Sequence, residues 1–215
     1  MSKSVTRATR LVAAVCLACA SLSACTPLVL GGAAVGGTLM ATDRRTSGAQ
    51  VEDKGIEFKA ASRIKEALGS RGHVNINAYN RVVLITGEVV NEADRLTVEQ
   101  IVARTENVRS VVNELAIMGN SSLTSRSSDV IIEAKVKATL VDARDLQANA
   151  FKLVVERGNV YLLGMVTERE ATRAAEVASS VSGVQKVIKV LHIISEDELA
   201  RKQPTAPGST NPPPR

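Results

Sequence analysis

Two histidines, His73 and His192, are the side chains best suited to acid–base chemistry near neutral pH. A hydrolase would need a nucleophile activated by one of them, and no nucleophile motif accompanies either residue. We expect His192 inside a β-branched strand and His73 in a solvated loop before a hairpin. A zinc site would need more ligands than these two histidines. The sequence therefore predicts no enzyme, no metal site and no cofactor.

A different chemistry is indicated at Cys25. Three basic residues near the start precede the apolar run Leu11–Ser21, which ends in Leu22-Ser23-Ala24-Cys25. The run is shorter than the roughly 20 residues that cross a bilayer, but it fits the core of a signal peptide. Small residues suit the groove of a signal peptidase, and a thiol can carry thioether-linked diacylglycerol. We predict a lipoprotein signal peptide at residues 1–24 and lipidation, including palmitate, at Cys25; an ordinary secretory signal with an incidental cysteine is the alternative.

The segments at the two ends of the mature chain look unfolded. Residues 25–50 are predicted to hold the lipidated cysteine and a flexible Gly-rich tether, because no Gly-Lys-Ser/Thr follows the glycines as in a phosphate loop. Residues 196–215 are predicted to be a Pro-rich disordered tail. In lipoproteins an Asp after the lipidated cysteine usually causes retention at the inner membrane. Thr26 therefore favours the outer membrane, with the protein anchored by lipid and facing the periplasm.

The distribution of charge argues against binding of nucleic acid. The chain has 27 basic and 22 acidic residues, and removal of the signal peptide leaves 24 basic residues. Residues 51–118 contain 9 basic and 10 acidic residues, and residues 129–194 contain 9 and 8. Neither segment carries the concentrated positive charge of a nucleic-acid binder. With no Trp, two Tyr and two Phe, the chain also lacks stacking platforms for single strands.

The two halves of the chain repeat each other. Residues 85–89, Ile-Thr-Gly-Glu-Val, correspond to residues 162–166, Leu-Leu-Gly-Met-Val. Residues 63–68 likewise correspond to residues 135–140, and residues 108–115 to 184–191, with offsets of 72 to 78. A duplicated domain explains these matches. The sequence predicts domains at residues 51–118 and 129–195, with a linker at residues 119–128.

Each copy shows the same succession of periodicities. A helical pattern is followed by two alternating strands, a second helical pattern and a closing β-branched run. In the second copy we expect the hairpin turn at Gly158-Asn159. The fold is predicted to be α+β, in which each α-β-β-α-β copy is a three-stranded sheet with two helices on one face. Gly87 and Gly164, inside the second strand of each copy, are predicted to be structural glycines at a bulge or a close backbone approach.

This pattern resembles the BON domain family. The apolar-x-apolar-x-Gly-x-Val strand, the closing Gly183-Val184-x-x-Val187 and the segment Val166-Thr167-Glu168-Arg169-Glu170-Ala171 carry the resemblance. With the lipobox and the Gly-rich tether, the whole chain apart from its tail resembles the dual BON-domain outer-membrane lipoproteins of the DolP/YraP type. The resemblance implies a role in envelope integrity, localisation to sites of cell constriction or division, and binding of anionic phospholipid through the second BON domain.

The first helix of the second copy, residues 129–142, is the candidate binding surface. Its stripe of Ile132, Val136 and Leu140 should face the sheet. The adjoining face has small or apolar side chains edged by lysine and is predicted to bind phospholipid through Ile131, Ala134, Lys135, Lys137, Ala138 and Val141. The alternative is that Ile131 and Val141 pack against the first copy. The corresponding helix of the first copy has Glu57, Ser62 and Glu66 at its polar positions, so we expect its face to be more polar.

Two classes of function follow from these observations. The first is a phospholipid-binding module anchored in the outer membrane. The second is a protein-interaction scaffold that uses a sheet edge or the tail to bind an envelope protein, such as an assembly factor or a regulator of a cell-wall hydrolase. Salt-sensitive binding to vesicles would favour the first class, and a protein complex that survives detergent would favour the second.

Overall fold

A computed structural model describes residues 43–119 and 121–202 of the chain. The predicted signal peptide, Cys25 and the Pro-rich residues from 203 onward lie outside the described residues. The first copy contains two helices and four short or medium strands, which are α1 Ser47–Leu68, β1 Gly72–Tyr79, β2 Val82–Val89, α2 Glu92–Ala103, β3 Ser110–Asn113 and β4 Ala116–Ile117. β1 is antiparallel to β2, whereas β3 and β4 are both parallel to β2.

The second copy repeats this order. Its elements are α3 Leu123–Asp142, a 3-10 turn Ala148–Ala150, β5 Phe151–Glu156, β6 Asn159–Val166, α4 Glu168–Ser179 and β7 Lys186–Ile193. β6 is the central strand, antiparallel to β5 and parallel to β7. The predicted α+β fold with α-β-β-α-β copies is therefore confirmed. The third strand of the first copy is interrupted at Leu115, whose N–H donates to the side chain of Asn113 and whose own side chain is buried in the core.

Three helices begin in segments that were predicted to be a tether, a linker and a tail. α1 begins inside the predicted tether, where the Thr46 side chain caps it by accepting the N–H of Ala49. α3 begins inside the predicted linker, where Ser122 caps it in the same way. The predicted tail begins with a further helix, α5 Glu196–Lys202, which has three acidic residues in its first turn and buries Leu199.

The hairpin turns also differ from the prediction. In the second copy the turn residues are Arg157 and Gly158 rather than Gly158 and Asn159, and both have positive φ (51° and 72°). Asn80 and Arg81 form the same kind of turn in the first copy (49° and 68°). A two-residue hairpin loop favours positive φ at both positions because that twist matches the strands. β1 begins at Gly72, so His73 lies in a strand and not in the predicted loop.

An aspartate of the first helix holds each hairpin turn. The carboxylate of Asp53 accepts the N–H groups of Asn80 and Arg81 at 2.7 and 2.8 Å. Asp129 accepts those of Arg157 and Gly158, both at 2.8 Å. Both aspartates are buried. These bonds tie the start of each helix to the tip of the hairpin on which it packs.

Both helices of each copy pack on one face of its sheet. In the first copy, buried residues of α1 and α2 meet the odd-numbered residues of β2, including Val83, Ile85 and Val89. In the second copy, α3 and α4 meet Val160, Leu162 and Val166 of β6. The predicted stripe of α3 lies in this core.

The opposite faces of the two sheets pack against each other. Leu84 of the first sheet shares one hydrophobic cluster with Tyr161, Leu163 and Met165 of the second, and Leu199 of α5 joins it. The two domains therefore form four layers: helices, sheet, sheet and helices. This arrangement turns both helical layers outward.

Gly87 and Gly164 lie within β2 and β6, as predicted. Gly87 has a φ of +112°, and a Cβ on it would lie 2.0 Å from the carbonyl oxygen of His73. A Cβ on Gly164 would lie 2.5 Å from the carbonyl oxygen of Ala150. Both glycines thus permit a close approach of neighbouring backbone.

Candidate functional site

All six residues predicted for the binding surface lie on one exposed face of α3. Ile131 is 56% exposed and Val141 is 62% exposed. The remaining four, Ala134, Lys135, Lys137 and Ala138, are also exposed. The structure therefore brings the predicted set together, although it contains no ligand.

The sequence reasoning missed Val130, which is 67% exposed and lies in the middle of this face. Val130, Ala134, Ala138 and Val141 are spaced i, i+4, i+8 and i+11, which places them on a single stripe of the helix. This spacing was visible in the sequence and could have identified Val130. We call the face formed by Val130, Ile131, Ala134, Ala138 and Val141 the α3 strip.

The α3 strip does not contact the first domain. That domain packs on the helix-free face of the second sheet through the cluster of Leu84 and Tyr161. The alternative in which Ile131 and Val141 form the domain contact was therefore wrong. The apolar side chains of the strip face solvent, and the fold does not explain their exposure.

Lysines edge the α3 strip. Among the ion pairs of the described residues, none involves Lys135 or Lys137, so both ammonium groups face solvent without an internal partner. Lys137 also lines a cleft of about 210 Å³ between α3 and β5, together with Glu133, Leu140 and Phe151. A second lysine of this cleft, Lys152, comes from β5.

Lys152 connects the cleft to the first domain. Its Nζ donates to Oε1 of Glu57 on α1 at 2.7 Å, and the same oxygen accepts the N–H of Ala78 at 2.9 Å. Burial lowers the pKa of Lys152, although the bond to Glu57 opposes this effect. Burial alone would raise the pKa of Glu57, but hydrogen bonds from Lys152 and Lys54 outweigh it, so the pKa lies below its usual value.

Two further polar contacts join the domains. The guanidinium of Arg157 donates to the carbonyl of Gly87 at 3.0 Å and to the fully buried Glu88 at 3.1 Å. Asn75 donates to Glu156 at 3.1 Å. Burial and the neighbouring charge of Glu88 raise the pKa of Glu156, against the bond from Asn75.

Arg44, three residues before α1, binds the second domain. Arg44 forms a two-pronged ion pair with Glu170 at the start of α4, with both N–O distances 2.7 Å. Arg44 also donates to the carbonyl of Met165 and to Gln147, and the side chains of Arg44 and Glu170 are 5% and 4% exposed. The neighbouring Arg45 turns back to the first domain, where it pairs with Asp53 and stacks 4.0 Å over Tyr79.

The first helix of the first copy exposes the predicted polar positions Ser62 and Glu66, and it also exposes two large apolar side chains that were not predicted. Phe58 and Val51 of α1 are 77% and 72% exposed, which makes them the most exposed large apolar side chains of the described residues. Glu57, which suggested the polar face, is mostly covered because it binds Lys152 and Ala78.

Comparison with known proteins identifies the fold. The BON domain family matches residues 53–119 and 128–195 of the chain. The chain belongs to the BON family. It is 38% identical over 172 residues to the outer membrane lipoprotein DolP of Haemophilus influenzae, and the alignment covers 79% of this chain and 88% of DolP. A dual BON-domain lipoprotein of the DolP type at the outer membrane is therefore confirmed.

Other relatives are more distant. The chain is 32% identical to a 21 kDa hemolysin of Actinobacillus pleuropneumoniae over 71% of this chain and 79% of that protein. A solved structure of CdsD, a structural protein of the type III secretion system of Chlamydia trachomatis, is 12% identical, with a TM-score of 0.25 over 69% of this chain and 99% of that one. That likeness is too weak to bear on the fold. BON domains of DolP-type lipoproteins are binding modules, and in residues 43–119 and 121–202 no helix has the length and apolarity needed to cross a membrane.

Proposed function

We propose that this lipoprotein is anchored through Cys25, faces the periplasm and docks on anionic phospholipid through the α3 strip of its second BON domain. In this role it helps to maintain envelope integrity at division sites and performs no catalytic step. The observation that carries the proposal is the exposure of Val130, Ile131 and Val141 beside lysines that have no internal partner.

Both the apolar stripe and the flanking lysines of this surface suit a membrane. Apolar side chains on one stripe of a helix can enter the boundary between headgroups and acyl chains, while flanking ammonium groups remain at the level of the phosphates. Each lysine near an anionic surface contributes about 1 kcal/mol, and this attraction falls within a Debye length. Two lysines give weak binding by themselves, but lipid on Cys25 would keep the domain at the membrane and make a weak contact effective.

The cleft beside α3 supports the same partner. Lys137 and Lys152 both line it, so an anionic headgroup at the rim of the cleft would meet two ammonium groups. Lys152 is already bound to Glu57, so Lys137 is the one with its charge available. The proposal therefore assigns the direct headgroup contact to Lys137 and Lys135.

The test is co-sedimentation with vesicles. The soluble mature chain starting at Thr26, with Cys25 removed, is mixed with neutral vesicles and with vesicles containing phosphatidylglycerol, each at low and high salt. The test variant combines Ile131→Glu with Lys135→Glu. The control combines Leu96→Glu in α2 with Arg104→Glu just after it, both at exposed positions, which makes the same change of charge in the first domain.

We expect binding to anionic vesicles only, weakened by salt. The test variant should lose at least tenfold in affinity, because it replaces an inserted apolar side chain and a cation with two carboxylates. The control should lose only the small part of the vesicle affinity that its change of net charge causes. Equal losses in the two variants, or no binding by the parent chain, would contradict the proposal and would favour the scaffold function.

A further inference from the structure

The first BON domain also exposes an apolar helix face, which α1 forms on the side turned away from the core. Phe58 is 77% exposed and Val51, seven residues earlier, is 72% exposed. Seven residues are almost two helical turns, so the two side chains lie on one stripe. Ile56, Ala60 and Ile64 fill the core from the opposite side of the helix. Neither exposed side chain is needed for folding or for the domain contact.

Lysines line one edge of this stripe, and the exposed Glu66 lies on the other edge. Small residues, Gly55 and Ser62, continue the stripe, and Lys54 and Lys65 lie along one edge of it, both exposed. The Lys54 side chain is 75% exposed. The glutamate nearest to this edge, Glu57, pairs with Lys54 at 2.7 Å as well as with Lys152 of the second domain, whereas Lys65 has no ion pair among the described residues. The face of α1 thus shares apolar side chains and lysines with the α3 strip, and it adds an aromatic ring and Glu66.

The two faces are linked across the domain contact. Lys54 and Lys152 both bind Glu57, and Lys152 lines the cleft that Lys137 of α3 also lines. α1 and α3 belong to opposite outer layers, and both border the edge of the molecule where Lys152 of β5 reaches Glu57 and Ala78 of the first domain. In the internal repeat, whose offset is 72 at these helices, Phe58 corresponds to Val130 of the α3 strip.

We infer that Phe58 and Val51, with Lys54 and Lys65, form a second contact with anionic phospholipid, so that the first BON domain also docks on the membrane. The occupant is a lipid surface because the face combines an insertable aromatic ring with cations and borders the same edge of the molecule as the α3 strip. The inference rests in part on the proposed docking of α3. It assigns to Phe58 the aromatic anchor that the α3 strip lacks.

The absence of tryptophan from the chain permits a direct test. Three variants of the soluble mature chain each carry one tryptophan: Phe58→Trp on α1, Ile131→Trp on α3 and the control Leu96→Trp on α2, where Leu96 is 47% exposed. Emission is recorded with phosphatidylglycerol vesicles, with and without lipids brominated near the headgroup. Phe58→Ser measures the contribution of the ring to vesicle affinity, and the full exposure of the site spares the fold.

We expect a blue shift and quenching for Phe58→Trp, and neither for Leu96→Trp. Phe58→Ser should weaken vesicle binding about tenfold, as expected for loss of one inserted aromatic side chain. Quenching of Ile131→Trp without quenching of Phe58→Trp would overturn this inference and leave the proposed function standing. Quenching of neither would overturn both. If sedimentation without lipid shows dimers that Phe58→Ser dissociates, the face binds a second copy and the lipid inference is wrong.

Discussion

Gly87 is the residue at which the backbone is most constrained. Its φ is +112°, and an added Cβ would lie 2.0 Å from the carbonyl oxygen of His73 on the neighbouring strand. Neither the strand nor its partner can move without disturbing the core around Val83 and Val89.

We therefore expect Gly87→Ala to lower the free energy of unfolding by about 3 kcal/mol or more, because the substitution adds both strain and a clash. Gly55→Ala is the matched control, since nothing lies within 4 Å of a Cβ there and the site is inside a helix. The free energy of unfolding of the control should rise by about 0.5–1 kcal/mol. Urea denaturation measures both, and a Gly87→Ala protein as stable as the parent would refute the close approach.

Glu156 is a buried carboxylate whose charge opposes folding. Burial and the charge of Glu88 raise its pKa in the folded protein. Below the unfolded-state pKa of about 4.3 both states bind the proton, so the group has no effect on stability. As the pH rises through the two pKa values, the unfolded state loses its proton more readily, and stability falls.

Glu156→Gln should therefore raise the melting temperature at pH 7 and leave it almost unchanged at pH 3.5, because the amide oxygen can still accept from Asn75. Thermal denaturation followed by circular dichroism at both pH values measures the difference. A variant less stable than the parent at neutral pH would show that the carboxylate charge contributes favourably there.

At the scale of elements, the bond between the first helix and the hairpin tip has the same form in both copies. Asp129→Ala would leave the buried N–H groups of Arg157 and Gly158 without an acceptor. We expect the free energy of unfolding to fall by about 2–4 kcal/mol. Hydrogen exchange at the turn should accelerate as well. Asp142→Ala, at an exposed position of the same helix, is the control, and an equal loss there would contradict this assignment.

The order of the elements could be predicted because each helix and strand has its own hydrophobic period. The exact ends could not, because Thr46 and Ser122 cap helices from within stretches whose composition is that of a linker. The packing of sheet on sheet was also missed. A signal for it exists in the uninterrupted apolar run from Val160 to Leu163, since a strand buried on both faces does not alternate.

The candidate site was predictable to a similar degree. The six residues of α3 were found because a helical wheel separates the sheet-facing stripe from its neighbour. Phe58 was missed because the charge of Glu57 beside it suggested a polar face. Only the structure shows that this carboxylate is directed towards Lys152, a residue 95 positions away in the sequence.

At the scale of the whole molecule, the contact between the sheets limits how a partner can bind. The helix-free faces of both sheets are buried in the cluster around Leu84 and Leu163. A protein partner would have to bind the outer helices, a sheet edge or the segments beyond the described residues. The outer helices carry both apolar faces, so a lipid surface and a protein partner would compete there.

Arg44 is the residue on which the position of the chain before α1 depends. Arg44→Met should lower the free energy of unfolding by about 3–5 kcal/mol, because it leaves Glu170 buried without its cation. Adding Glu170→Gln should restore part of the loss. Arg144→Met, at an exposed site, is the control. Differential scanning calorimetry measures all three, and an unaffected Arg44→Met protein would show that the ion pair is dispensable.

The same ion pair has a defined dependence on pH. Burial would raise the pKa of Glu170, but the bonds from Arg44 and the Thr167 N–H outweigh it, so the pKa lies below its usual value. Its contribution is therefore present above the unfolded-state pKa of about 4.3 and is lost as the pH falls through the folded-state pKa. The parent protein should lose stability in acid more steeply than Arg44→Met.

The position of Arg44 also determines how a mechanical load would enter the protein. With acyl chains on Cys25, residues 26 to 43 would connect the membrane to Arg44. These 18 residues span at most about 60 Å when extended. Arg44, the next residue, binds Glu170, so tension from the bilayer would reach the second BON domain before it could pull on α1. With that anchor, the first domain would be shielded from such force until the buried ion pair breaks.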